Sequence, residues 1–339
     1  MQQRHGCHAC EDLGCWATKP DCPGQLGRQL ATINFAWLGS ARICRVNEQL
    51  KNHVATYHQG PAGEPCRLRT RDFGGAGDCL FHSIAGALGR MLQSDDLSIR
   101  RHILEKIPLQ VWKEGQRSVM IALRQLSAAA LSSWTPENLL DYVLRASMDY
   151  RANVFEDGWN PENILNETGF SFLNDCESVL AVGEEYDGSL TLRVARTNAH
   201  SNGGARTETI ESLEDGRMLL KDLREKVQEE LQTPGDKHWG TQFDVKSLSD
   251  ALNIGVLMFC DRLQENGNSV LYNIGSEKQA FPYWISLWWD EPTHFRLAEL
   301  TWHTDISTLA SATYHCFGTA PLLPPTLLNA YRHCNRMRG

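Results

Sequence analysis

Residues 74–92 read GGAGDCLFHSIAGALGRML, and the fold of the chain turns on them. Glycines at 74, 75 and 77 interrupt any regular element ahead of Cys79. From Leu80 onward, Ile84, Ala87, Leu88 and Met91 recur at spacings of three and four, the pattern of a helix with one buried face. Cys79 therefore opens a buried helix directly after a glycine turn. In that position unpaired backbone N–H groups and the positive end of the helix dipole stabilise a thiolate. Flanking glycines let the backbone approach a substrate and turn N–H groups toward a developing oxyanion, a positioning role that falls to Gly77 and Asp78. A buried cysteine that only packs is the competing reading, and for an isolated G-x-G-x-C it is the better one.

A second segment shifts that balance. WWDEPTHFRLAEL (288–300) sets His294 at the start of a predicted strand, after an aromatic strand and a short loop. A histidine on a rigid strand edge beside a helix-borne thiol is the arrangement that nucleophilic catalysis requires. His82 lies three residues after Cys79 on the same helix face, and it reads as a packing or site-lining residue rather than the base. His238, next to Trp239, is a lesser candidate.

Around these segments the chain reads as mixed α/β (α+β). Residues 1–66 form a small Cys/His-rich N-terminal module, 67–300 the main domain and 301–339 a proline-containing, basic tail. Helices are expected over 96–106, 115–131, 135–150, 216–232 and 243–253, with Thr135-Pro136-Glu137 as a helix start. GSLTLRVART and ARTETIESL flank the turn-forming NAHSNGG, which predicts a β-hairpin within 188–213. Strands are expected at GVLMFCD, SVLYNIG, PYWISLWWD and HFRLAEL.

Three blocks then occur in order: D-C-L-F-H-S-I at 78–84, H-W-G-T-x-x-D-V-x-S-L-S-D-A-L-N at 238–253, and H-F-R-L from His294. Together they resemble the ovarian tumour (OTU) family of cysteine proteases, whose blocks are D-G-(N/D)-C-(L/F)-F-(R/H), W-G-(G/T)-x-x-(E/D) and H-Y-(D/N). The resemblance implies a papain-type fold, a small central sheet flanked by helices, with Cys79 as nucleophile and His294 as general base. Trp239-Gly240-Thr241 matches the turn that packs behind the site, and Trp239 and His82 would line it. It also implies hydrolysis of isopeptide or C-terminal glycine bonds of ubiquitin or a ubiquitin-like protein, with no cofactor in catalysis.

Two departures stand out. The family's acidic orienter sits three residues before the cysteine or two after the histidine, and here those positions hold Ala76 and Arg296. Asp290, Glu291 and Asp72 are the acids left to replace it. If none does, Cys79 and His294 work as a dyad, or the chain is a catalytically weak pseudoenzyme that acts as a ubiquitin-binding module. The second departure is extra length at about 150–235, an insertion that could serve as lid or docking surface, or as neither.

Composition sets the remaining bounds. Hydrophobic residues make up 42% and charged residues 22% of 339, ordinary globular usage. A net charge of −8 and no long Lys/Arg run argue against nucleic acid and anionic membranes. The polar, cysteine-rich start is unlike a signal peptide, and no apolar run reaches spanning length. An intracellular protein, cytoplasmic or nuclear, is therefore expected, with its eleven cysteines reduced. Cys7, Cys10, Cys15 and Cys22 offer four thiols in a short segment, which suits a structural zinc. A reduced, cysteine-rich tail is the other reading of the same residues.

Overall fold

Alternation along CRLRTRD and helical periodicity from Cys79 meet at the glycine loop, and that junction organises the molecule. The computed structural model describes residues 23–44, 66–75, 77–94, 96–153, 160–184, 190–196, 205–210, 213–235, 238–263, 269–274, 281–290, 294–302 and 312–314. In chain order these form α1 (Pro23–Leu30), α2 (Ala36–Ser40), β1 (Arg42–Cys44), β2 (Cys66–Asp72), α3 (Cys79–Leu92) and α4 (Leu97–Lys106). They continue with α5 (Leu109–Glu114), α6 (Gln116–Ala130), α7 (Pro136–Asn153), α8 (Pro161–Glu167), β3 (Cys176–Glu184), β4 (Leu190–Arg196) and β5 (Ala205–Ile210). The last are α9 (Leu213–Gln232), α10 (Gln242–Leu252), β6 (Gly255–Leu263), β7 (Ser269–Ile274), β8 (Trp284–Asp290), β9 (His294–Trp302) and β10 (Ala312–Tyr314). The class is α+β.

The main sheet has seven strands in the order β1-β2-β9-β8-β6-β7, with β10 also pairing with β9. Every pair is antiparallel except β6–β8, where Val256 stands opposite Ile285 and Met258 opposite Leu287. Both segments read as continuous apolar runs because these strands are covered on both faces. A separate three-stranded sheet, β3-β4-β5, contains the expected hairpin, with Leu190 paired to Ile210 and Ala195 to Ala205. It lies in the 150–235 stretch and leans on α7 through β3.

Helix α3 runs through the core. Leu80, Phe81, Ile84, Ala87 and Leu88 have no exposed surface. Burial of each large apolar side chain contributes about 1.5–3 kcal/mol. The first turn of α3, and with it Cys79, lies against β9, whose Phe295 N–H donates to the Cys79 sulfur.

The described part of the N-terminal module does not stand apart from the main domain. Leu26, Leu30, Ile33 and Leu38 are buried, β1 extends the main sheet, and Arg90 Nη2 donates to the Leu38 carbonyl (3.1 Å). A Cβ on Gly89 of α3 would come within 3.1–3.3 Å of Leu38 and Trp37, so the lack of a side chain admits this segment. Beyond Trp302, the tail adds β10 along β9. Among the described residues no helix is long and apolar enough to cross a membrane.

Candidate active site

Cys79 is the first residue of α3 and is 2% exposed. The backbone N–H of Phe295 donates to its sulfur at 3.4 Å, and the Ser83 hydroxyl donates to the Phe295 carbonyl at 3.1 Å. Cys79 and Ser83 are one helical turn apart, so a single face of α3 holds both polar groups of residue 295. Phe295 itself is buried and stacks on Trp289, 6.0 Å between ring centres. Its neighbour His294 is therefore fixed at the start of β9, beside the thiol-bearing turn.

The His294 ring meets an acid, Asp72. Nε2 lies 3.1 Å from Asp72 Oδ1, and with the carboxylate accepting, Nε2 is the protonated nitrogen. Nδ1 is then the nitrogen with a lone pair. Asp72 ends β2 on the same strand face as Leu68 and Thr70, and β2 runs antiparallel to β9. Its Oδ1 also accepts from the Gly74 N–H (3.0 Å), and its Oδ2 from Arg42 Nη2 (3.0 Å). Burial pushes this carboxyl up, but the Gly74 N–H, His294 and Arg42 together hold it below the usual value. Of the other two acids, Asp290 stands opposite His294 in the β8–β9 register, and Glu291 lies outside the described residues.

Burial pushes the Cys79 thiol up to about 11, against the pull of the Phe295 and Leu80 N–H groups and with a further push from the Asp72 charge. The resting sulfur is therefore a neutral thiol at pH 7. A Cβ on Gly75 would lie 3.8 Å from the His294 ring, which sets that ring against the glycine loop ahead of Cys79.

Gly74 and Gly77 have φ of 111° and 85°, a backbone region that disfavours side chains, so the loop ahead of Cys79 needs glycine at both. Asp78 precedes Cys79, but its carboxylate is engaged elsewhere. Its Oδ1 accepts from Arg124 Nε at 2.7 Å and its Oδ2 from the Gly235 N–H at 3.0 Å. Arg124 has no exposed surface; it also donates to the carbonyls of Gly77, Leu231, Gly235 and His238, and lies 4.4 Å over the Phe81 ring. Its buried charge is met by Asp78 and these dipoles, and the Gly77–Asp78 turn is clamped to α6 and to the end of α9. Sequence reasoning missed Arg124. The signal is a guanidinium on the buried stripe of α6 that carries Met120, Leu123 and Ser127.

His82 Nδ1 accepts from Gln116 Nε2 at 3.0 Å, and burial holds its ring below the ordinary value, so it is neutral and structural in its contacts. His238 is enclosed, 3.0 Å from Asp244 Oδ2 and from the Tyr142 hydroxyl. Trp239 is half-buried, and a Cβ on Gly240 would meet Leu80 at 2.5 Å, so this turn packs directly behind the first turn of α3. Cys7, Cys10, Cys15 and Cys22 lie outside the described residues, as does Ala76. Among the described residues no cluster of three or more His, Cys, Asp or Glu side chains could hold a metal.

Comparison with known proteins found no family, curated protein or solved structure that matches this chain.

Proposed function

We propose that the chain is a cysteine hydrolase of the OTU type, a deubiquitinase whose working residues are Cys79, His294 and Asp72. The observation that carries this reading is the Asp72–His294 hydrogen bond at 3.1 Å. It supplies the orienter that Ala76 and Arg296 do not, and it leaves Nδ1 as the ring's basic nitrogen. In the proposed reaction His294 removes the Cys79 proton as sulfur attacks the substrate carbonyl. N–H groups at the start of α3 face the oxyanion. The imidazolium, held by Asp72, then gives its proton to the leaving amine, and water releases the acyl group. The choice of ubiquitin or a ubiquitin-like protein as substrate rests on the three ordered sequence blocks.

A binding-only role draws on one observation, the burial that raises the Cys79 thiol to about 11. A ubiquitin carrying a thiol-reactive C-terminus separates the two. A covalent adduct that forms with the full chain, fails with Cys79→Ala and slows with His294→Ala and Asp72→Ala is the expected result. Tight non-covalent binding without adduct would overturn the hydrolase, and no binding to any ubiquitin-like probe would overturn the substrate class.

A further inference from the structure

We infer that Arg42 is a positioning residue for the candidate site, and that segment 23–44 completes the site by delivering it. This rests on the proposed roles of Asp72 and His294 and goes beyond them. The carboxylate of Asp72 has two oxygens with separate duties. Oδ1 accepts from His294 Nε2 and from the Gly74 N–H, while Oδ2 accepts from Arg42 Nη2. Gly74 is only two residues away and constrains the carboxylate locally. Arg42 is the one donor on Oδ2 among the described hydrogen bonds, and it sets the plane in which Oδ1 faces the imidazole.

Arg42 is not a chance surface neighbour of Asp72. The two are directly paired in the β1–β2 register, Arg42 opposite Asp72 and Cys44 opposite Thr70. β1 is only three residues long and is held further by the Thr70 hydroxyl donating to the Cys44 carbonyl at 3.4 Å. Upstream, Leu38 is 1% exposed against α3, its carbonyl accepts from Arg90, and Trp37 meets Phe73 edge-on at 6.0 Å. Phe73 is the residue between Asp72 and Gly74. The segment thus grips both sides of the acid and presents Arg42 to it. A cavity of about 340 Å³ opens between Trp37, Ser40, Arg42, Asp72 and Gly74, so solvent ions reach this pair. The guanidinium is 75% exposed at its side chain, which makes the contact weak and sensitive to salt.

The test uses the full chain and a small uncharged alkylating reagent that reports Cys79 reactivity whether or not ubiquitin is the substrate. Arg42→Ala should slow alkylation at pH 7 by about threefold to fivefold, the size of one exposed ion pair, and Arg42→Lys should recover most of it. Raising salt to about 1 M should slow the native chain toward the Arg42→Ala rate and leave that variant nearly flat. On an Asp72→Ala background, Arg42→Ala should have no further effect, with the unfolding midpoint measured in parallel. In turnover with a ubiquitin substrate, kcat should fall and KM stay unchanged. The positioning role is overturned if Arg42→Ala costs as much without Asp72 as with it, or if the lysine variant is no better than alanine. Failure of every variant to cleave ubiquitin, with the alkylation pattern intact, would remove the substrate class and leave the role of Arg42 standing.

Discussion

Two histidine–aspartate pairs in this molecule have nearly the same bond and opposite surroundings. His294 Nε2 meets Asp72 Oδ1 at 3.1 Å with side chains 24% and 12% exposed, and His238 Nε2 meets Asp244 Oδ2 at 3.0 Å with side chains 1% and 2% exposed. The first joins the ends of two neighbouring interior strands, β2 and β9, next to Cys79. The second is enclosed by Tyr142 and the serines of α6 and α10, with Thr241 donating to Asp244 from its backbone and its hydroxyl. Asp244 thereby caps α10 and ties the Trp239-Gly240 turn to the core. An imidazole–carboxylate bond is therefore not a reactive site in itself. The proposed site has access and a neighbouring thiol beside its pair, and full enclosure makes the other a structural rivet.

The comparison can be broken most sharply at the thiol. Cys79→Ala and His294→Ala should each lower turnover by about 10⁴-fold or more, the scale of losing a nucleophile or its base, and leave the unfolding midpoint nearly unchanged. Steady-state kinetics beside a thermal melt decides it. Asp244→Ala should do the reverse. Removing one partner of a buried pair costs about 3–5 kcal/mol, read in a urea titration, while Cys79 alkylation in the folded protein keeps its rate. Asp72→Ala should fall between, slowing turnover by about 10²-fold with little loss of stability. Equal stability losses at Asp72 and Asp244 would erase the distinction.

The smallest effect is a pH dependence. Both carboxyls are held below their usual value, Asp72 against partial burial and Asp244 against full enclosure. A carboxyl depressed in the folded state adds stability that is present above its unfolded value, about pH 4, and lost as pH falls through the folded one. Thermal midpoints measured from pH 5 down to 3 should drop for the native chain. The drop should shrink in Asp244→Asn and shrink less in Asp72→Asn, because enclosure strengthens the coupling at Asp244.

Much of this was legible in the residues. The helix from Cys79, the α6 and α7 helices, the 188–213 hairpin and the strands before and after His294 all follow local periodicity, and each is present. Asp72 was visible only as one of three spare acids, since the strand that carries it is recognised by its pairing with β9 and not by any turn or cap. Arg124 was harder. A charge on an apolar stripe reads as an exception until Asp78 and the carbonyls around it are brought together by tertiary contact. The packing of 23–44 was obscured by the cysteines upstream of it.

Phe295 has a further use. Its N–H donates to the very sulfur whose protonation and acylation define the proposed cycle, while its carbonyl stays fixed to Ser83. The amide proton of residue 295 is thus a built-in spectator of the thiol. Its resonance should move when sulfur ionises or becomes a thioester, giving the chain a spectroscopic label at its centre without any added probe.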